Sequence, residues 1–172
     1  MKKALIIIGI ILVVAAAAGY LFWKDYKSGA LTGNVNLAGA EQPDGGRNHI
    51  PVGSAHDPYL TNPPTSGPHN PEPAAWGVYN RELPDEQLIH NLEHGGIWIS
   101  YKPDIDADTK AKIENIGRQY PGATIITPRA NNPHPIEVAS WRRLINMDTF
   151  DRDVILDFIK RNKNQSPEPL AQ

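Results

Sequence analysis

Cysteine is absent from all 172 residues. That absence removes disulfides, thiolate zinc sites, iron–sulfur clusters and cysteine nucleophiles from the chemistry open to this chain. Methionine is nearly absent too: Met1 and Met147 are the only two, so the soft thioether cluster of a Cu(I) carrier cannot be built. No acidic residue occurs before Asp25, and all 19 follow Lys24. Beyond Lys24 the chain holds 14 basic residues against those 19, a net charge of −5. A mildly acidic body without a basic stripe argues against nucleic acid and anionic lipid as partners. Histidine, carboxylates, hydroxyls and backbone groups are what remains for chemistry.

Charge is also missing from Ala4 to Trp23, a run of twenty residues (ALIIIGIILVVAAAAGYLFW). About twenty apolar residues span a bilayer core as a helix. Lys2 and Lys3 precede the run, and Tyr20, Phe22 and Trp23 stand where an aromatic belt anchors the far interface. A cleaved signal peptide is the competing reading, because Ala15–Ala18 offers small residues of the A-x-A kind. The run outlasts the roughly 7–15 residues of a signal core and continues as bulky Tyr-Leu-Phe-Trp past those alanines. Residues 1–23 are therefore expected to be an uncleaved, single-pass anchor in the cell membrane. The N-terminus would be cytoplasmic and the remainder extracytoplasmic.

At roughly 100–200 residues per domain, the rest of the chain has room for one. Residues 24–48 are rich in Gly, Asn and Ala without a sustained apolar period, and read as a flexible linker. Seven prolines lie between Pro51 and Pro73, which excludes helix and central strand there. Regular patterns follow. Pro84-Asp85-Glu86 opens a helix through His94, ended by Gly95. Ile97–Tyr101 alternates as a strand. Asp106–Tyr120 is helical, with Ile113, Ile116 and Tyr120 on one stripe. Ala123–Thr127 and Ile136–Trp141 read as strands. Asp148 is expected to cap a last helix with a stripe of Phe150, Val154, Ile155, Phe158 and Ile159. The expectation is an α+β domain over residues 49–168, with a sheet of at least three strands packed against helices. Residues from Asn164, and 169–172 above all, are expected to fray.

Six histidines are present. His90 and His94, in HNLEHGG, are four apart and project about 40° from one another on one helix face. That spacing lets two imidazoles share a metal. With Leu88 at 0°, Ile89 and Leu92 fall at about 100° and 40°, and the two histidines at about 200° and 240°. The histidine face is thus opposite the apolar one, and the plain reading is that it faces water. A second segment, PPTSGPH (63–69), makes a stiff platform that presents His69 with little freedom left to lose. Laid across the polar helix face, it would bring His69 to His90 and His94, with His49 as an auxiliary fourth. Such a set suits Zn²⁺ or Cu²⁺, and the usual affinity order leans to copper. Helix geometry turns Glu93 about 60° from His90 and about 100° from His94, which makes it an outer acceptor or a surface charge.

GRNHI (46–50), PPTSGPHNP (63–71), WGVY (76–79), LPDEQLIHNLEHGGIWISY (83–101), ASW (139–141) and PE (167–168) together resemble one bacterial membrane-anchored family, domain of unknown function 3105. The likeness covers roughly residues 47–168. It implies that His49, His69, His90, Glu93 and His94 are signature positions. It brings no activity with it. The SAHDPYLTN stretch (54–62) between the first two blocks is longer than the family pattern.

Three functions are compatible with these residues. The first is a metal-binding module, holding copper or zinc through His69, His90, His94 and His49, with Glu93 behind them. The second is a metal-dependent hydrolase in which the same site keeps an open position and activates water, with Glu93 as base; HNLEH also fits H-x-x-E-H. The small domain and the Gly-Gly at the helix end argue against a peptidase of that kind. The third is a metal-free envelope interaction module in which the imidazoles only hold the loop. No residue is assigned a catalytic role. His56 and His134 read as loop residues, Ser66 lacks the context of a nucleophile, and Trp76 is open between core and lid.

Overall fold

The computed structural model describes residues 36–171. The apolar run at 4–23 and the first part of the linker lie outside the described residues. Among the described residues no helix is long and apolar enough to cross a membrane. From Leu37 onward the chain forms one compact unit. Its strands are β1 (Ala40–Glu41), β2 (Gly77–Val78), β3 (Ile97–Tyr101), β4 (Thr124–Pro128), β5 (Ile136–Ser140) and β6 (Arg143–Met147). Its helices are α1 (Asp85–Glu93), α2 (Ala107–Gln119) and α3 (Arg152–Asn162). The expected α+β class holds, as one mixed sheet of six strands with three helices.

The sheet runs β1-β6-β5-β3-β4-β2. Parallel β3 and β4 are joined through α2, and β5 and β6 form an antiparallel hairpin beside β3. Alternation along β3 divides the interior in two. Ile97, Ile99 and Tyr101 face a core built with Ile113 and Ile116 of α2 and Ile155, Phe158 and Ile159 of α3. Trp98 points the other way, into Leu88, Ile89 and Leu92 of α1 and Ile125, Ala139 and Trp141. Helix α1 therefore lies alone on its side of the sheet, with its polar face turned outward.

Several expectations are corrected. The linker ends before residue 48: Ala38 is buried, and Ala40–Glu41 pair with Leu144 and Arg143 of β6. Short strands with two-residue ladders carry no readable period, which is why β1 and β2 escape a pattern search. The last helix is capped by Asp151, whose carboxylate accepts from the amides of Asp153 and Val154 at 2.9 and 3.1 Å. Asp148 is unavailable for that role because β6 runs to Met147, and its carboxylate instead accepts from His134 Nδ1. Val154, expected on the buried stripe, is exposed. The C-terminal stretch is not frayed, since the amides of Glu168, Leu170 and Ala171 donate to carbonyls of Glu93 and His94.

The two glycines after α1 have separate tasks. Gly95 sits at φ +84°, and a Cβ there would come within 2.7 Å of Asn164 Cα. Gly96 receives the indole of Trp76, and its Cβ would also lie 2.8 Å from the carbonyl oxygen of Asn91. That contact makes Trp76 part of the core beside α1. Gly96→Ala has no soft neighbour to displace on the backbone side. It is expected to destabilise by about 1–3 kcal/mol through overpacking, lowering Tm by about 3–10 °C. Thermal unfolding followed by circular dichroism checks this, and an unchanged Tm would contradict the packing.

Candidate metal centre

The proline-rich segment does lie across the outer face of α1. Asn91, on that face, clamps it by donating to Ala74 O and accepting from the Ala74 amide, both at 2.9 Å. The Asn70 amide donates to Glu86 O at 3.2 Å. A further layer, residues 45–50, runs beside it. The Gly67 amide donates to Gly46 O, that of His69 to Asn48 O, and that of Ile50 to His69 O, at 3.0, 3.0 and 2.8 Å. This parallel bridge sets His49 directly beside His69. Two strips of irregular chain thus roof the helix, and their backbone groups are satisfied by one another. The plain reading of a solvated face is overturned here: His90 and Glu93 are buried, because the roof covers them.

Four imidazoles meet under that roof. The His90 ring is 5.0 Å from that of His49, stacked at 12°, 5.2 Å from that of His69, and 4.5 Å from that of His94. His69 Nδ1 donates to Gly67 O at 2.8 Å, and His90 Nδ1 donates to Asn70 O at 2.6 Å. A carbonyl only accepts, so in both rings Nδ1 carries a proton, and Nε2 is left facing Glu93 in His69 and His94 in His90. Backbone anchoring of one ring nitrogen is how proteins orient histidine towards a metal at the other. Burial pushes the His90 pKa down, assisted by the neighbouring histidines, so this ring is neutral with an open lone pair at Nε2.

His90 Nε2 and His94 Nε2 stand 3.0 Å apart. Two nitrogens at about 2.0–2.1 Å from one ion and separated by that distance subtend about 94°. Glu93 is closer to the centre than its helical angle implied. Its Oε2 is 2.9 Å from His69 Nε2 and 3.7 Å from His49 Nε2, while Oε1 is 4.0 Å from Arg47 Nε. Two triads bring their ligand atoms within 4.8 Å of one another: His49, His69 and His90, and His90, Glu93 and His94. His90 is common to both, and His69 and His94 fall in different triads. All five expected residues are thus brought together, with His90 rather than the helical pair as the hub.

The remaining candidates are elsewhere. His56 donates from Nδ1 to Asp57 O at 2.7 Å and meets Glu86 with Nε2 at 3.3 Å; the Asp57 carbonyl raises its pKa. His134 is paired with Asp148. Ser66 Oγ accepts from the Gly45 amide at 2.8 Å, a structural task within the roof. Two rim residues were not singled out from the sequence, Arg47 and Glu168. Each belongs to a block of the resemblance, GRNHI and PE, which was the one available signal.

A family model described as a protein of unknown function (DUF3105) matches residues 53–172. The matched span contains His69, His90, Glu93, His94 and Glu168, while Arg47 and His49 precede it. No curated protein and no solved structure matches the chain.

Proposed function

The chain belongs to the DUF3105 family, and from the site its residues build we propose that it is a membrane-anchored, extracytoplasmic module that binds one transition-metal ion, copper or zinc. Of the expected ligands His69, His90 and His94, with His49 auxiliary, His90 is common to both triads, so the ion is held either by His90, His94 and the Glu93 carboxylate or by His49, His69 and His90. The observation that carries this reading is the double anchoring of His69 and His90. Both rings give Nδ1–H to a rigid backbone carbonyl, which leaves Nε2 of His69 facing the Glu93 carboxylate and Nε2 of His90 facing His94 Nε2. Imidazole nitrogens with a carboxylate suit Zn²⁺ and Cu²⁺, and the affinity order favours copper where no cytosolic buffer competes. Residues 4–23 are the proposed anchor. No reaction is part of this reading.

A metal-free reading has its own support. His69 Nε2 meets Glu93, and His90 Nε2 meets His94 Nε2, so the imidazoles can satisfy one another as a network that fastens the roof. The two readings part on linkage. Metal that binds only the folded chain stabilises it by about 2.7 kcal/mol at a hundredfold excess over Kd, which raises Tm by about 5–10 °C. The full chain in detergent, stripped with chelator and reloaded with Cu²⁺ or Zn²⁺, is expected to bind one equivalent and to show that rise. Substoichiometric metal and an unchanged Tm would refute binding and leave the network.

A further inference from the structure

The last residues of the chain return to the metal centre, and nothing about helix stability requires the side chain they bring. The C-terminus of α1 leaves carbonyls without helical partners. Glu93 O accepts from the Glu168 amide at 3.1 Å, and His94 O accepts from the amides of Leu170 and Ala171 at 2.9 and 3.0 Å. Asn164 braces the loop from behind. Its Nδ2 donates to Ala171 O at 2.7 Å, its Oδ1 accepts from the Ala171 amide at 2.9 Å, and its own amide donates to Gly95 O at 2.9 Å. Gly95 is what lets Asn164 approach. The bonds that hold the strap to α1 use the backbone of residues 168, 170 and 171, and any residue except proline at 168 would make its bond.

The side chain at 168 is nevertheless an acid, and it is aimed at the site. Glu168 Oε2 lies 3.8 Å from His94 Nε2, the nitrogen that is 3.0 Å from His90 Nε2. Two ligand atoms on one ion, a nitrogen at about 2.0–2.1 Å and an oxygen at about 2.0–2.2 Å, can be separated by at most about 4.0–4.3 Å. The observed separation is within that span, at a ligand–metal–ligand angle of about 130°. The exposure of the centre is one-sided: His69 is fully buried, whereas the Glu168 side chain is 56% exposed. An ion at the His90–His94 pair would have fixed nitrogens on its inner side and Glu168 towards water.

We propose that Glu168, carried in by the C-terminal strap, is a carboxylate ligand on the solvent side of the metal held by His90 and His94. This rests on the metal-binding reading above and extends it by one residue from a distant part of the chain. It makes the centre a mixed nitrogen–oxygen site, closed by residues 168–171.

The test is a Cu²⁺ titration of the full chain in detergent against a competing chelator, with electron paramagnetic resonance of the loaded protein. Glu168→Gln keeps the backbone bonds of the strap. It is expected to weaken Cu²⁺ binding about 10–100-fold and to shift the copper hyperfine splitting as an oxygen ligand is lost, with the Tm of the metal-free protein unchanged. Glu168→Asp, a shorter carboxylate, is expected to recover part of the affinity. Parent-like affinity and spectrum in Glu168→Gln, with binding lost in His90→Ala, would overturn the strap ligand and leave the metal centre standing. Weakened binding with an unaltered spectrum would make Glu168 an outer partner and likewise overturn it. No Cu²⁺ binding by the parent would bring down both readings together.

Discussion

His90→Ala is expected to abolish stoichiometric Cu²⁺ or Zn²⁺ binding by the full chain, with an affinity loss of at least about 100-fold. Removing an outer partner of a metal ligand already costs about 10–100-fold. His90 stands to lose more, because it is the residue shared by the two triads. It is also the ring whose protonation is best defined: Nδ1 is committed to Asn70 O, and burial keeps Nε2 free of a proton. Truncation leaves Asn70 O without that donor and opens a void under the roof, so stability falls as well. His56→Ala separates the two effects, since His56 lies in the same proline-rich segment but outside the cluster. Metal analysis and equilibrium competition are the readouts. Retention of one tight equivalent by His90→Ala would sink the proposed centre.

The second large effect concerns stability and pH. Glu137, the second residue of β5, is fully buried on the α1 side of the sheet. Its Oε1 accepts from the His134 amide at 3.1 Å, and its Oε2 has no partner among the described residues. Burial pushes its pKa up to about 7, against the pull of the His134 amide and of nearby His134 and Arg129. Arg129 cannot offset more, because its guanidinium is spent on both oxygens of Asp85, at 3.0 and 2.8 Å. The folded state therefore holds a proton that the unfolded chain releases near the ordinary carboxylate pKa of about 4.3. The contribution is complete below that value and is lost as pH rises through about 7. At 1.36 kcal/mol per unit the full loss is on the order of 3–4 kcal/mol.

Glu137→Gln keeps the acceptor for His134 and carries no charge at any pH. Relative to the parent it is expected to gain on the order of 2–3 kcal/mol between about pH 5 and about pH 8. Urea unfolding of both proteins at the two pH values checks this. Taking the difference between them cancels the opposing contributions of His56 and His90, whose pKa values move in opposite directions. A difference that does not grow with pH would show that Glu137 is ionised at no penalty in the fold.

The elements with long periods were legible in the sequence. Strand β3 occupies Ile97–Tyr101 as the alternation required, and α1, α2, β4 and β5 begin and end within a residue or so of their expected limits. Strands β1, β2 and β6 were not. Two of them are too short to show a period, and β6 shows two buried residues, Leu144 and Met147, three apart, which is no strand signature. At the site, the pairing of His90 with His94 follows from helix geometry alone, and the stiffness of PPTSGPH from its prolines. The burial of Glu93 does not show in its helical position, for a definite reason. A helical wheel ranks faces by the residues on them, and cannot register a loop that roofs the polar one.

What the amino-acid order determined by itself was local: an apolar stretch of about bilayer length at 4–23, an α+β series of elements, and two histidines one helical turn apart. Such features depend on dihedral preferences and on spacings of a few residues, which any segment carries wherever it is placed. Tertiary structure alone decided that His49 and His69 come down beside His90, that Glu93 faces His69, and that Glu168 returns to His94. Those meetings join positions from 21 residues apart (His69 and His90) to 74 apart (His94 and Glu168). They depend on Asn91 clamping the roof and on the last carbonyls of α1 drawing in residues 168–171. Hydrogen-bonding needs of backbone left open at a helix face and a helix terminus are met only once the whole chain has folded, and that is where the centre is made.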